Sequence, residues 1–184
     1  VDTAGAAIRL AQATVVVDGS GTYRAVQEYH VDNKTEQYLE IELPERGQLW
    51  TVRVAGEPVK PTVVTAVGGA INDRLLRIPL IKTAAGDLDY LVEIKYGGQL
   101  GAFSAFQRVE FPLVTTKRIN AERSHVRLHL PETHRFFRFD GTMTRVDDEG
   151  DLAAGFLAYR NRQIEQLRQV MSGRGGVFSS MRAA

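Results

Sequence analysis

Apolar and polar residues alternate with a period of two through most of this chain, the signature of strands with one face in a core and the other in water. The cleanest run is Leu88, Tyr90, Val92, Ile94 and Tyr96, whose alternates Asp89, Glu93 and Lys95 read as solvated. The most complete unit is Leu39 to Pro61, LEIELPERGQLWTVRVAGEPVKP. There Leu39, Ile41 and Leu43 alternate with Glu40 and Glu42, Pro44 to Gly47 breaks the pattern, and Trp50, Val52 and Val54 alternate with Thr51 and Arg53. This predicts a hairpin with Trp50 on its core side.

The rest of the chain to Val146 follows the same grammar. A first strand over Ala7 to Val17 ends at the turn Asp18-Gly19-Ser20-Gly21, and a second over Thr22 to Val31 ends at Asp32-Asn33-Lys34-Thr35. Successive strands without helix-length spacers predict antiparallel pairing. Pro58 and Pro61 suit an edge or a connection. Val63, Val64 and Val67 predict a short strand before a Gly68-Gly69 loop, and Leu76, Ile78 and Leu80 another before a turn at Ala84 to Asp87. Gly97-Gly98 and Gly101 predict a flexible loop, after which β character resumes over Phe106 to Thr115 and Ser124 to Leu130. Asp140-Gly141 is a favourable hairpin dipeptide leading into Thr142 to Val146.

Val126 to Phe137, VRLHLPETHRFF, aligns without gaps on Leu39 to Trp50, LEIELPERGQLW, with Phe137 as the counterpart of Trp50. Two related β units dividing near residues 97–101 would explain the echo, and so would chance convergence of strand–proline–hairpin sequences. Beyond Val146 the period changes. Leu152, Phe156, Ile164, Leu167 and Met171 recur near helical spacing, predicting an amphipathic helix over 151–172, with Gly173 able to end it and a loose Gly/Ser/Arg-rich tail over 173–184. Arg160, Arg162 and Arg168 occupy much of its remaining surface.

Composition narrows the classes only slightly. The 184 residues suffice for a core without staples, and the absence of cysteine excludes a disulfide framework and cysteine-ligated metal. Lys plus Arg 23 against Asp plus Glu 22 offers no whole-chain case for nucleic acid or membrane. No apolar run reaches membrane-spanning length, and a chain beginning at Val1 reads as a mature chain or an excised piece.

The candidate chemistry is sparse. His125 and His129 share an apparent strand, where four residues span about 13 Å, too far for one ion. His30 and His134 lack partner ligands in the sequence. The run Asp147-Asp148-Glu149-Gly150-Asp151 lacks the ligand order of a calcium loop and reads as a solvated turn before the helix. Arg118, Arg123, Arg127, Arg135, Arg138 and Arg145 lie near Phe136, Phe137 and Phe139, but interleaved acids favour a solvated face over a nucleic-acid surface. Asn33-Lys34-Thr35 is a formal glycosylation sequon at a predicted surface turn. No catalytic, cofactor or metal residue is assigned.

The alternating strands and Leu-Pro-Glu hairpins of Ala7 to Val146 resemble the immunoglobulin-like or macroglobulin-like β-sandwich segments of large extracytoplasmic bacterial proteins. The cysteine pair of true immunoglobulin domains is missing, so Trp50 takes no disulfide-packing role from them. The resemblance implies a mainly β, antiparallel sandwich and a non-enzymatic binding or scaffolding module of a larger secreted or envelope protein. It would contact a protein partner or neighbouring domain through the C-terminal helix. A carbohydrate-binding sandwich is the alternative, with Tyr23, Tyr29, Tyr38, Tyr90 or Tyr96 stacking on sugar, and an enzyme ranks third.

Overall fold

The computed structural model describes residues 5–65, 71–84, 88–103, 108–135, 139–146, 150, 157–165 and 168–169. The chain forms two compact units, one comprising Val1–Thr83 and Asp89–Arg135, the other Ala84–Leu88 and Phe136–Ala184.

Among its described residues the first unit holds ten strands: β1 (Ala6–Val17), β2 (Thr22–Asn33), β3 (Tyr38–Glu42), β4 (Gln48–Val54), β5 (Glu57–Pro58), β6 (Thr62–Thr65), β7 (Ile71–Pro79), β8 (Tyr90–Gln99), β9 (Thr115–Lys117) and β10 (Ser124–His129). They form a six-stranded sheet, ordered β10-β1-β2-β8-β4-β5, and a four-stranded sheet, ordered β6-β7-β3-β9. The inner faces meet in one core: Val15, Tyr29, Val52, Ile94 and Tyr96 come from the larger sheet, Leu39, Ile41 and Ile78 from the smaller. This is the mainly β, sandwich-like architecture that the alternation predicts. All pairings are antiparallel except β1 with β10, which run parallel.

The strands of the Leu39 to Pro61 segment form, but not as one hairpin. β3 pairs with β7 and β9 in the small sheet, while β4 pairs with β8 and β5 in the large one. The intervening Pro44–Gly47 turn closes with Gly47 N–H donating to Pro44 O at 3.0 Å and carries Arg46 at φ 57°, so it passes the chain between sheets. Alternation predicts which side chains point inward but not which strand lies alongside, since Leu39 and Val52 reach the same core from opposite layers. The true hairpin is β4–β5, with Ala55 and Gly56 at φ 51° and 87°, the two positive values of a type I′ turn.

Three further expectations are corrected. Gly97 and Gly98 lie inside β8, opposite Arg24 and Tyr23 of β2, rather than in a loop. Residues 108–114 form no strand: Pro112 O accepts from buried Tyr96 Oη at 2.9 Å, while Leu113 N–H donates to Phe111 O in a tight turn. Residues 139–146 form none either, and the last strand among the described residues ends at His129. The Gly68-Gly69 loop, most of the Ala84 to Asp87 turn, and Phe136 and Phe137 lie outside the described residues.

In the second unit, 157–165 and 168–169 are helical. Gln163 Nε2 donates to Tyr159 Oη at 2.7 Å, one turn away, and the exposed Leu157 and Ile164 sit seven residues apart on one face. The remainder of the expected helix over 151–172 and the tail over 173–184 are outside the described residues. No helix among the described residues is long and apolar enough to cross a membrane.

Candidate ligand-binding face

The outer face of the six-stranded sheet is set by register. Thr14, Val26, Lys95 and Thr51 stand in one row across β1, β2, β8 and β4, and Val16, Arg24, Gly97 and Gln48 in the next. A β-bulge in β4 interrupts the second row. Leu49 opposes Tyr96 and Thr51 opposes Lys95, leaving Trp50 as the extra residue. A bulge inserts one residue without an opposite number and re-aims its side chain. Leu49 therefore packs against the core, and Trp50 turns outward, where it is 51% exposed.

Gly97 makes room for the indole. A Cβ there would collide with Trp50 Cζ2 and Cη2 and approach the Tyr23 carbonyl oxygen to 2.8 Å, so the ring lies against bare backbone. Beside it an open depression of about 330 Å³ is lined by Thr14, Val16, Arg24, Ala25, Val26, Trp50 and Lys95. Val16 is 45% exposed. Lys95 Nζ lies 3.3 Å from Glu93 Oε1, and Arg24 forms no ion pair among the described residues. The site thus offers a π face, a small apolar floor and two cations that can only donate. That equipment suits holding a ligand; the residues lining it include no nucleophile–base pair.

Core placement of Trp50 is therefore corrected. The alternation back from Val52 assigns it inward, and the bulge reverses the phase. One signal was present, since the adjacent apolar pair Leu49-Trp50 departs from strict alternation. The tyrosines reverse as well. Tyr23, Tyr29 and Tyr96 are buried, Tyr90 is half-buried with its hydroxyl donating to Ile81 O at 2.9 Å, and Tyr38 alone of the five is exposed. They form no exposed row.

The remaining candidates scatter. His125 and His129 lie on β10, opposite Gln12 and Val16, and burial with Arg127 nearby holds the His125 imidazole below its usual range. His30 Nδ1 is 3.7 Å from Asp89 Oδ1, and the His134 ring packs at 5.0 Å against Phe103. No group of three His, Asp or Glu among the described residues is placed to hold a metal ion. Arg127 belongs to the large sheet, whereas Arg118 follows β9 in the small one, 3.6 Å from Glu40. Arg145 lies 5.4 Å over the Phe139 ring in the second unit. Arg138, Asp147 to Glu149 and Asp151 are outside the described residues.

Asn33 corrects the sequon. Its side chain is fully buried, donating to Glu36 O at 2.8 Å and Ile81 O at 2.9 Å and accepting from Glu36 N–H at 2.9 Å. An amide so engaged is a structural clip, closed to glycosylation in the folded chain.

No family model matches the chain, and no curated protein does. Solved structures with partial likeness include native yeast LTA4 hydrolase, at 11% identity and TM-score 0.43, covering 69% of this chain and 23% of that one. An M1 zinc metallopeptidase from Deinococcus radiodurans matches at 10% identity and TM-score 0.37, covering 58% and 23%. Legionella pneumophila aminopeptidase A in complex with aspartic acid matches at 10% and 0.38, covering 55% and 11%. The chain spans less than a quarter of each of these proteins.

Proposed function

We propose that this chain is a non-enzymatic binding or scaffolding module of a larger secreted or envelope protein, of the immunoglobulin-like or macroglobulin-like kind, and that it binds through the outer face of its six-stranded sheet. The observation that carries the reading is Trp50, turned into solvent by a bulge beside an open depression. A tryptophan with half its surface in water gives up much of its own hydrophobic burial, and a ligand laid on it would recover that. The same observation supports the carbohydrate alternative, with Trp50 replacing the tyrosines as platform.

A structural role for Trp50, covering the backbone at Gly97, is the competing account. Substitution separates the two. Under the binding reading Trp50→Ala loses only the half-buried indole's packing on the Gly97 backbone and costs about 1–2 kcal/mol. Loss of several kcal/mol in chemical denaturation would make the residue structural and sink the reading.

A further inference from the structure

Resting on that binding reading, we infer that the Trp50 face takes a carbohydrate ring bearing a carboxylate, a uronate, in preference to a neutral sugar. The indole supplies a flat π surface for the C–H face of a pyranose. Arg24 and Lys95 line the same depression from neighbouring strands, and both are pure donors. Glu93 already engages Lys95 Nζ at 3.3 Å, so Arg24, in no ion pair among the described residues, is the cation that calls for an acceptor-rich, negative ligand edge, with Lys95 beside it. A carboxylate projecting from the stacked ring meets that requirement.

The surroundings argue against other occupants. The depression is open, whereas small-molecule sites bury most of their ligand. Beyond Trp50, Val16 and Val26 the neighbouring outward row is polar, with Gln12, Glu28, Glu93 and Arg53 in register. That leaves the apolar positions of this face confined to the Trp50 end, without the broad apolar centre of a stable protein interface. Glu28 and Glu93 stand directly opposite each other one row away, so a polyphosphate running along the strands would meet two carboxylates. A single ring held at the Trp50 end avoids them.

Because Trp50 is the single tryptophan, its emission reports this site alone. Titrating the full chain with galacturonic acid oligomers, cello-oligosaccharides of equal length and an oligothymidylate, with acrylamide quenching as a second readout, tests the inference. The galacturonates should shift the emission and shield the indole, binding about tenfold tighter than the neutral oligomers, the order of one charge-assisted hydrogen bond. Arg24→Gln and Lys95→Gln should each bring the ratio of galacturonate to neutral-oligomer affinity down toward one, with Lys95→Arg retaining the preference. Equal binding of neutral and acidic oligomers, tighter binding of the oligothymidylate, or no response to any saccharide would overturn the uronate assignment. The binding reading itself fails on a different result, an indole already shielded from acrylamide in the free protein.

Discussion

Ala55 sits at φ 51° in the β4–β5 turn, a conformation that costs a residue with a Cβ roughly 1 kcal/mol and suits asparagine or glycine. Ala55→Asn should therefore raise the stability by about 0.5–1 kcal/mol, read as a higher denaturation midpoint at unchanged slope. Tyr23 presents a second local imperfection. Its ring packs edge-on to Tyr96 at 6.3 Å, but its buried hydroxyl finds no hydrogen-bond partner among the described residues. Tyr23→Phe removes an unsatisfied group and keeps the ring, so it should be neutral or stabilising by about 1 kcal/mol. A clear loss of stability in the same assay would mean that the hydroxyl has a partner.

Among the elements, the β1–β2 hairpin shows how a turn holds register. Asp18 Oδ1 accepts from Ser20 N at 2.8 Å, Ser20 Oγ at 2.6 Å and Thr22 N at 3.0 Å, and the hydrogen bond from Ser20 leads in holding its carboxyl below the usual range. Gly21 follows at φ 81°, with its carbonyl accepting from Leu100 N–H at 2.8 Å, and a Cβ there would collide with the Gly101 carbonyl oxygen. Gly21→Ala meets both a positive φ and rigid backbone. It should lower stability by about 2 kcal/mol or more, and an unchanged thermal midpoint would contradict the close approach of the two segments. In the small sheet, Glu42 is flanked by Lys117 Nζ at 2.7 Å and Arg74 at 3.0 Å, and Glu40 by Arg77 at 2.8 Å. Those cations are engaged by carboxylates across the strands, so that face is a laced surface.

For the molecule as a whole, the buried tyrosines set the alkaline limit. Burial pushes Tyr90 up to about 12 and Tyr29 and Tyr96 higher still, against an ordinary value of 10.0. A phenol whose folded pKa is raised favours the folded state fully below its unfolded value. That contribution is lost as pH rises from about 10 through about 12, because the unfolded chain releases the proton first. Stability should fall through that window together with a late rise in tyrosinate absorbance. Full ionisation near pH 10 with far-ultraviolet dichroism intact would refute the burial of these rings.

The strands, their inward residues and the sandwich class were written in the alternation of the sequence, because the period of two depends only on neighbouring residues and burial. β1, β2 and β8 lie close to where the pattern puts them, and the helical period around Ile164 is matched at 157–165. Strand partnership was not legible, since β3 and β4 would alternate identically in one sheet or in two. Nor was the outward Trp50: whether one residue is bulged depends on the register of β8 across from it and on the bare Gly97 backbone beneath the indole. Local sequence determined what is buried along each strand, while long-range pairing decided which tryptophan face, which cations and which glycine share a surface. Those contacts join residues dozens of positions apart, and periodicity carries no information about them.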